Sequence, residues 1–331
     1  MPTSDKLVNS NDQDFIDLFH HQVKENTPYA NYVRALGISP DAVKHWSEIP
    51  ALPTDAFKST NNPSCLADKE KQTTFLTSGT TTETKGAHHF SNTSTYEKSI
   101  LSGWEHCKLP PLHPQTLILT PSGKDTPHSS LSHMFETLKL EICPTAEFIM
   151  TDNIVDISKV IAAAQSGQPV TLLGTALAFL QVFDALQDLG SKLQFAPASW
   201  ALETGGYKGT ERSLSKEELY LLFEQNLKIA ESNIWNEYSM TELSSQFYTS
   251  GIGAPHIGPP STRIKVIHPE NGEQVGVGEM GYLVIYDLAN VESCLAIRTQ
   301  DLAIYHDPQS FTLIGRDPSA LPRGCSRALA M

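Results

Sequence analysis

Apolar positions along the chain switch between helical and strand-like spacing. Phe15, Leu18 and Phe19 recur at helical intervals within Asp14 to Lys24, and Pro28 to Leu36 reads as a second short helix ended by the turn at Gly37. Ile49 to Lys58 reads as an extended segment, its backbone fixed by Pro50 and Pro53 and anchored by Leu52 and Phe57. Thr73 to Thr77 follows as a strand and Ser94 to Trp104 as a helix. Thr116 to Thr120 and Val170 to Leu173 are short apolar runs closed by turn residues, as buried parallel strands are. Helical spacing returns in Ser129 to Leu138, Ile154 to Gln165 and Lys216 to Ser232, so the expected class is α/β, a sheet with covering helices. Past residue 250, closely spaced glycines from Gly251 to Gly281 punctuate β-prone runs such as Ile264 to Ile267 and Tyr282 to Tyr286. The expected division is 1–250, a helical cap and α/β core, and 251–331, a small β-rich subdomain.

Composition narrows the function classes. The 331 residues, 40% apolar and 18% charged, suffice for a large buried core. Lys and Arg total 24 against 37 acidic residues, and a net charge of −13 argues against nucleic acid or an anionic membrane as the main partner. No run reaches the roughly 18 apolar residues of a membrane span, and Met1 to Gln22 lacks the pattern of a signal peptide. The expectation is a soluble cytoplasmic protein. Cys65, Cys107, Cys143, Cys294 and Cys325 are widely spaced, with no C-x-x-C pair, which fits free thiols in a reducing compartment.

The chemistry concentrates in short polar segments. Thr77-Ser78-Gly79-Thr80-Thr81-Thr82-Glu83-Thr84-Lys85-Gly86 places hydroxyls, glycines and one lysine directly after a strand. Backbone amides and hydroxyls of such a loop donate to phosphate oxygens while the lysine neutralises departing pyrophosphate; a Ser/Thr-rich surface turn is the plainer reading. The spacing differs from a P-loop, which needs a glycine just before the lysine. Asn236-Glu237-Tyr238-Ser239-Met240-Thr241-Glu242 offers Tyr238 as a stacking face for adenine, Thr241 as a donor to the α-phosphate and Glu242 as a Mg²⁺ ligand; a helix-capping Thr-Glu pair is the alternative. Arg298-Thr299-Gln300-Asp301 ends in a carboxylate able to accept from two hydroxyls at once, and Gly315-Arg316-Asp317 sets Arg316 in a short turn. Gly205-Gly206 forms a turn against which a ligand can lie. Each of these is also a common turn sequence.

In order and spacing these segments resemble the signatures of adenylate-forming enzymes: T-S-G-T-T-G-x-P-K-G, Y-G-M-T-E, R-T-G-D and G-R-x-D. Thr82, Thr84, Ser239 and Gln300 depart from those patterns. This resemblance implies that Asp301 accepts from the ribose hydroxyls and that Arg316 reaches the same sugar. Ile49 to Pro53 with Phe57-Lys58, Ser129 to Met134, Leu173-Gly174-Thr175, Gly205 to Lys208 and Arg323 to Ser326 narrow the resemblance to the LuxE-like acyl-protein synthetases, over roughly 45–327. The resemblance implies the large N-terminal domain of adenylate-forming enzymes, layered sheets with covering helices plus the β-rich subdomain ending at the hinge motif. The chain stops where the usual mobile C-terminal domain would begin, so that domain is expected to be lacking.

The function implied is ATP- and Mg²⁺-dependent activation of a carboxylic acid, of the fatty class, as acyl-AMP, with transfer to a protein cysteine and an acyl-accepting or acyl-reductase protein as partner. Cys325, between Arg323 and Arg327, is the expected acceptor, since those charges favour a thiolate. His133 is expected at the acyl pocket. Two alternatives stay open: an acyl-CoA or carrier-protein ligase of the phenylacetate-CoA ligase type, and a nucleotide-binding scaffold without catalysis.

Overall fold

The computed structural model describes residues 7–77, 84–205 and 214–317. Helices α1 (Asp12–Glu25) and α2 (Thr27–Ala35) open the fold. Asn11 caps α1 through the Gln13 and Asp14 amides, and the Asp14 carboxylate returns a bond to the Asn11 amide. Asn26 ends α1 and caps α2, whose Pro28 stands in the first turn, where its missing N–H costs nothing. The apolar stripe of α1, Phe15, Leu18 and Phe19, is buried, and the Gln22 side chain donates to the Asn290 carbonyl at 2.7 Å, fixing this pair to the far end of the chain.

Strand β1 (Leu52–Pro53) pairs in parallel with a strand near the end of the chain. Only that part of 49–58 is a strand; Thr54–Lys58 winds into a 3₁₀ turn that buries Phe57 and sets Lys58 3.0 Å from Asp55. Next come the hairpin β2 (Thr73–Leu76) and β3 (Ala87–Phe90), α3 (Ser94–His106), β4 (Gln115–Leu119), α4 (Ser130–Glu141), β5 (Glu147–Phe148) and the small hairpin β6 (Met150–Thr151) and β7 (Ile154–Val155). The helix expected from Ile154 therefore starts later, as α5 (Ile157–Gln165). Asp152 and Asn153 both take positive φ, which turns the chain back on itself, and Asp156 caps the helix through the Ser158 amide.

Strands β8 (Val170–Thr175), β9 (Trp200–Thr204) and β10 (Ile234–Tyr238) alternate with α6 (Ala176–Asp188) and α7 (Lys216–Leu227). Helix α7 stops at Lys228, in left-handed backbone, short of the expected Ser232. The remaining strands are β11 (Phe247–Ser250), β12 (His256–Ile257), β13 (Thr262–Ile267), β14 (Met280–Asp287), β15 (Ala296–Asp307) and β16 (Ser310–Arg316).

Among the described residues one large sheet runs β13-β14-β15-β16-β12-β11-β10-β9-β8-β4-β5. From β10 to β5 the pairing is parallel, and from β10 to β13 it is antiparallel. The parallel half is buried along β9 and over Val170 to Gly174 of β8, as the apolar runs anticipated. Hydrogen bonding crosses residue 250 without a break, since β11 pairs with β12 and β12 with β16. One buried cluster lies under α1 and the antiparallel strands, a second between β8 and α5 to α7, and a third between the sheet and α3, α4 and the β2–β3 hairpin.

Gly281 shows how tightly β14 is seated: a Cβ there would stand 2.2 Å from the Ile267 carbonyl oxygen, and backbone yields little. Gly281→Ala is expected to cost at least ~2 kcal/mol by overpacking, read as a lower urea midpoint at unchanged m-value.

Candidate active site

The polar segments gather where the parallel half of the sheet meets the antiparallel half. Strands β8, β9 and β10 end side by side: Thr175 pairs with Thr204, and Thr204 with Glu237. Carboxyl ends of parallel strands are where α/β sheets open to ligands. Gly205, at φ +72°, turns the chain away there in a conformation costly for other residues. Gly206, and Ser78, Gly79, Thr80, Thr81 and Thr82 of the Ser/Thr loop, lie outside the described residues, as does Cys325.

The mouth of that loop is fixed. The Thr77 amide donates to the Gly86 carbonyl and the Gly86 amide to the Thr77 hydroxyl, both at 2.8 Å, which pins the two ends of the Ser/Thr segment together, and Lys85 beside Gly86 is exposed. Two residues past Gly86, buried His88 joins this hairpin to the Thr241–Glu242 loop. Its Nδ1 lies 2.8 Å from the Thr241 carbonyl oxygen and its Nε2 2.8 Å from the Ser293 hydroxyl. A carbonyl only accepts, so Nδ1 carries the proton and Nε2 takes the hydroxyl's. Burial holds the ring neutral, its pKa lowered to about 4. The loop is anchored further along by Asn290, which donates to the Glu242 carbonyl at 2.8 Å, and by buried Asp287, which accepts from the Ser244 and Ser245 amides and the Ser245 hydroxyl. Burial, only partly offset by those bonds, raises the Asp287 carboxyl.

His88→Phe keeps the ring's bulk against Phe57 and Phe90 and removes both bonds. For the adenylating activity that the sequence resemblance implies, it is expected to lower the rate of acid-dependent pyrophosphate exchange about tenfold or more, with the KM for ATP within about threefold, because the loop loses its register rather than a ligand contact.

Asp301 and Arg316 are opposite each other on β15 and β16. The Tyr238 hydroxyl donates to Asp301 Oδ2 at 2.8 Å, and the Asp301 amide donates to the Thr299 hydroxyl at 3.1 Å. The Tyr238 ring is buried against Phe247, His256 and Phe311, so most of the face expected to stack on a base is covered by protein. Gln300, the departure from the family's glycine, bridges: Arg316 donates to its side-chain oxygen at 2.5 Å, and its amide donates to Asp55 at 3.1 Å.

Alternation along β10 sends Asn236 and Glu237 to opposite faces. Asn236 is tied into the scaffold, donating to the Glu203 carbonyl at 3.1 Å and bonded through Oδ1 to His256 Nε2 at 2.7 Å. Burial depresses His256 to about 3, so its ring is neutral. On the same face Lys216 and the Tyr220 hydroxyl meet the buried Glu203 carboxylate. Glu237 takes the Thr204 hydroxyl on Oε2 while Oε1 is buried with no partner. Burial raises its carboxyl to about 7 against the hydroxyls of Ser239 and Thr204, which favour the charged form. His133 sits on α4, 3.0 Å from Glu97, its ring against Phe75 and Tyr96 in the third cluster.

His88, His256, Asp287 and Asn290 escaped the motif reading. Each acts across a long stretch of chain, so spacing carries no trace of it; for His88, His256 and Asp287 a polar residue within a strand was the available sign, and Asn290, outside any strand, offered none.

The architecture is that of adenylate-forming ligases. The open form of 2-hydroxyisobutyryl-CoA ligase in complex with 2-HIB-AMP and CoA aligns with a TM-score of 0.69 at 12% identity, over 96% of this chain and 79% of that one. ATP-bound MatB from Rhodopseudomonas palustris aligns with a TM-score of 0.52 at 13% identity, over 73% of this chain and 47% of its own. The luciferase-like enzyme of the mealworm Zophobas morio gives 0.52 at 14% identity, over 84% and 61%. No curated protein matches the sequence. The family model for acyl-protein synthetase, LuxE, matches residues 3–331, and the chain belongs to that family. It is an adenylate-forming ligase by family and fold. Among the described residues no helix is long and apolar enough to cross a membrane.

Proposed function

We propose that the protein activates a carboxylic acid of the fatty class with ATP and passes the acyl group to a protein cysteine, Cys325. A carboxylate oxygen of the acid bonds to the α-phosphorus of ATP and the bond to the bridging oxygen breaks, releasing pyrophosphate. A thiolate then attacks the acyl carbon, and AMP departs with the acyl–oxygen electron pair. The observation that carries this reading is the meeting, at one end of the sheet, of the Thr77–Gly86 mouth, the Thr241–Glu242 loop and the Asp301–Arg316 pair.

In this reading Lys85, Thr77 and the hydroxyls of 78–82 stabilise charge on the phosphates, Thr241 donates to the α-phosphate, and Asp301 and Arg316 hold the ribose. Gly205 and Gly206 border the nucleotide, which Tyr238 and Asn236 flank. Among the described residues no three His, Cys, Asp or Glu side chains form a metal cage. One carboxylate, Glu242, together with substrate phosphates is how Mg²⁺ is commonly held, so the residues fit that ion, which when bound neutralises phosphate charge.

The four described cysteines support Cys325 by contrast. Burial pushes Cys65, Cys107 and Cys294 up to about 12, and Cys143 is buried with its sulfur against Thr116 and Thr145. Thiols so placed are poor nucleophiles at neutral pH. Transfer to coenzyme A or a carrier is the second reading, favoured by the likeness to CoA ligases. Pyrophosphate exchange against short, medium, long and aromatic acids tests activation, and no exchange with any acid sinks it. Mass spectrometry of the protein after incubation with ATP and acid separates the acceptors.

A further inference from the structure

The face of the sheet that carries Glu237 belongs to the third buried cluster, walled by Phe75, Tyr96, Ile100 and Trp104. On it Glu237 and Tyr248 are direct cross-strand partners on β10 and β11. Both are almost fully buried, and both carry a polar atom with no hydrogen bond of its own: Glu237 Oε1, on a carboxyl that the Ser239 hydroxyl also favours, and the Tyr248 hydroxyl. An unpaired buried polar group costs about 1–3 kcal/mol, and a fold that sets two such residues opposite each other across neighbouring strands keeps them for something that completes them. A carboxyl beside a phenol complements a group that both donates and accepts, which an alcohol does. On the adenylating reading, Tyr238 to Glu242 lead from this strand into the reaction centre, and the acid's chain is taken to lie along this face.

We propose that the acid activated by this enzyme bears a hydroxyl group on its chain, bound between Glu237 and Tyr248. The inference rests on the adenylating reading and sharpens its substrate class. The carboxyl accepts the substrate's O–H, and the Tyr248 hydroxyl donates to the same oxygen; Thr204 holds Glu237 in place from behind. A plain alkyl chain leaves these groups unpaired and is rejected for that reason.

Pyrophosphate exchange on the full chain, with straight-chain acids and their hydroxylated counterparts of equal length, tests this. The hydroxylated acids are expected to show kcat/KM higher by roughly 100-fold or more. Glu237→Leu should bring the two series within about tenfold, and Tyr248→Phe, which deletes only the orphan hydroxyl, should narrow the gap part way. Equal use of both series by the unaltered protein overturns the proposal, pointing to trapped water as the partner. So does a preference that survives Glu237→Leu; should that variant not fold, an unchanged preference in Tyr248→Phe counts the same way. Exchange with no acid in either series overturns the adenylating reading itself, a result distinct from exchange without preference.

Discussion

Asp301→Asn is expected to lower kcat/KM for ATP in pyrophosphate exchange by about a hundredfold or more. A charged carboxylate accepting from two ribose hydroxyls makes two bonds of about 1.5–3 kcal/mol each, and an amide retains only one neutral acceptor. Asparagine still accepts from Tyr238, whose hydroxyl lies 2.8 Å from Asp301 Oδ2, so folding should be little affected. Alanine would strand that hydroxyl in a buried site and confuse stability with binding. The decisive comparison uses ATP and 2′,3′-dideoxy-ATP. The unaltered enzyme should discriminate strongly between them, and Asp301→Asn should discriminate weakly, because the group that reads the hydroxyls is gone. If the variant discriminates as well as its parent, Asp301 does not hold the sugar and the ribose assignment fails.

Asp301 could be singled out in the sequence because its motif is a short run of neighbours on one strand, and the structure sets it opposite Arg316 and in reach of the Tyr238 hydroxyl. The same holds for Thr77 and Gly86, whose mutual bonds close a local hairpin, and for the buried parallel strands at Thr116 and Val170, where β-branched apolar runs have few other uses. What was not legible depends on distance or on single turns. Ile154 and Val155 fit helical spacing as well as any neighbour, but two positive-φ residues before them fold a hairpin, and Asp156 restarts the chain as a helix. His88 looks like one member of a histidine pair, and only the fold brings Thr241 and Ser293 to its two nitrogens. Gln300 reads as a lapse from the glycine of the motif until its amide is seen to join Arg316 to Asp55. A glycine gives the backbone freedom; the glutamine replaces that freedom with a tether between β15, β16 and the turn before β2.

The site also carries buried polarity that folding alone does not reward. Glu203, Asn236 and His256 form a connected set on one face of β9 and β10, with Glu237, Thr204 and Tyr248 on the other. In an ordinary sheet such positions are apolar, as Leu202 and Ile234 are in the same strands. Interior polarity on both faces of one strand end, beside the switch from parallel to antiparallel pairing, marks a place kept for ligands.

Cys325→Ser is expected to abolish the acyl–protein adduct completely while leaving pyrophosphate exchange within about twofold. In the proposed reaction the first half uses Lys85, Thr241, Glu242, Asp301 and Arg316 and makes no use of the Cys325 thiol. The second needs a nucleophile that is ionised near neutral pH, and a serine hydroxyl without an adjacent base is not one. The adduct on the unaltered protein should also be released by neutral hydroxylamine, as a thioester is and an ester is not. The four other thiols provide the internal control: three are raised to about 12 by burial and the fourth is buried, so none should take over when Cys325 is removed. An adduct that persists in Cys325→Ser would move the acceptor elsewhere in the chain. A protein that never becomes labelled, yet acylates added coenzyme A, would instead make the family's protein-thiol step foreign to this member and place it with the CoA ligases whose fold it shares.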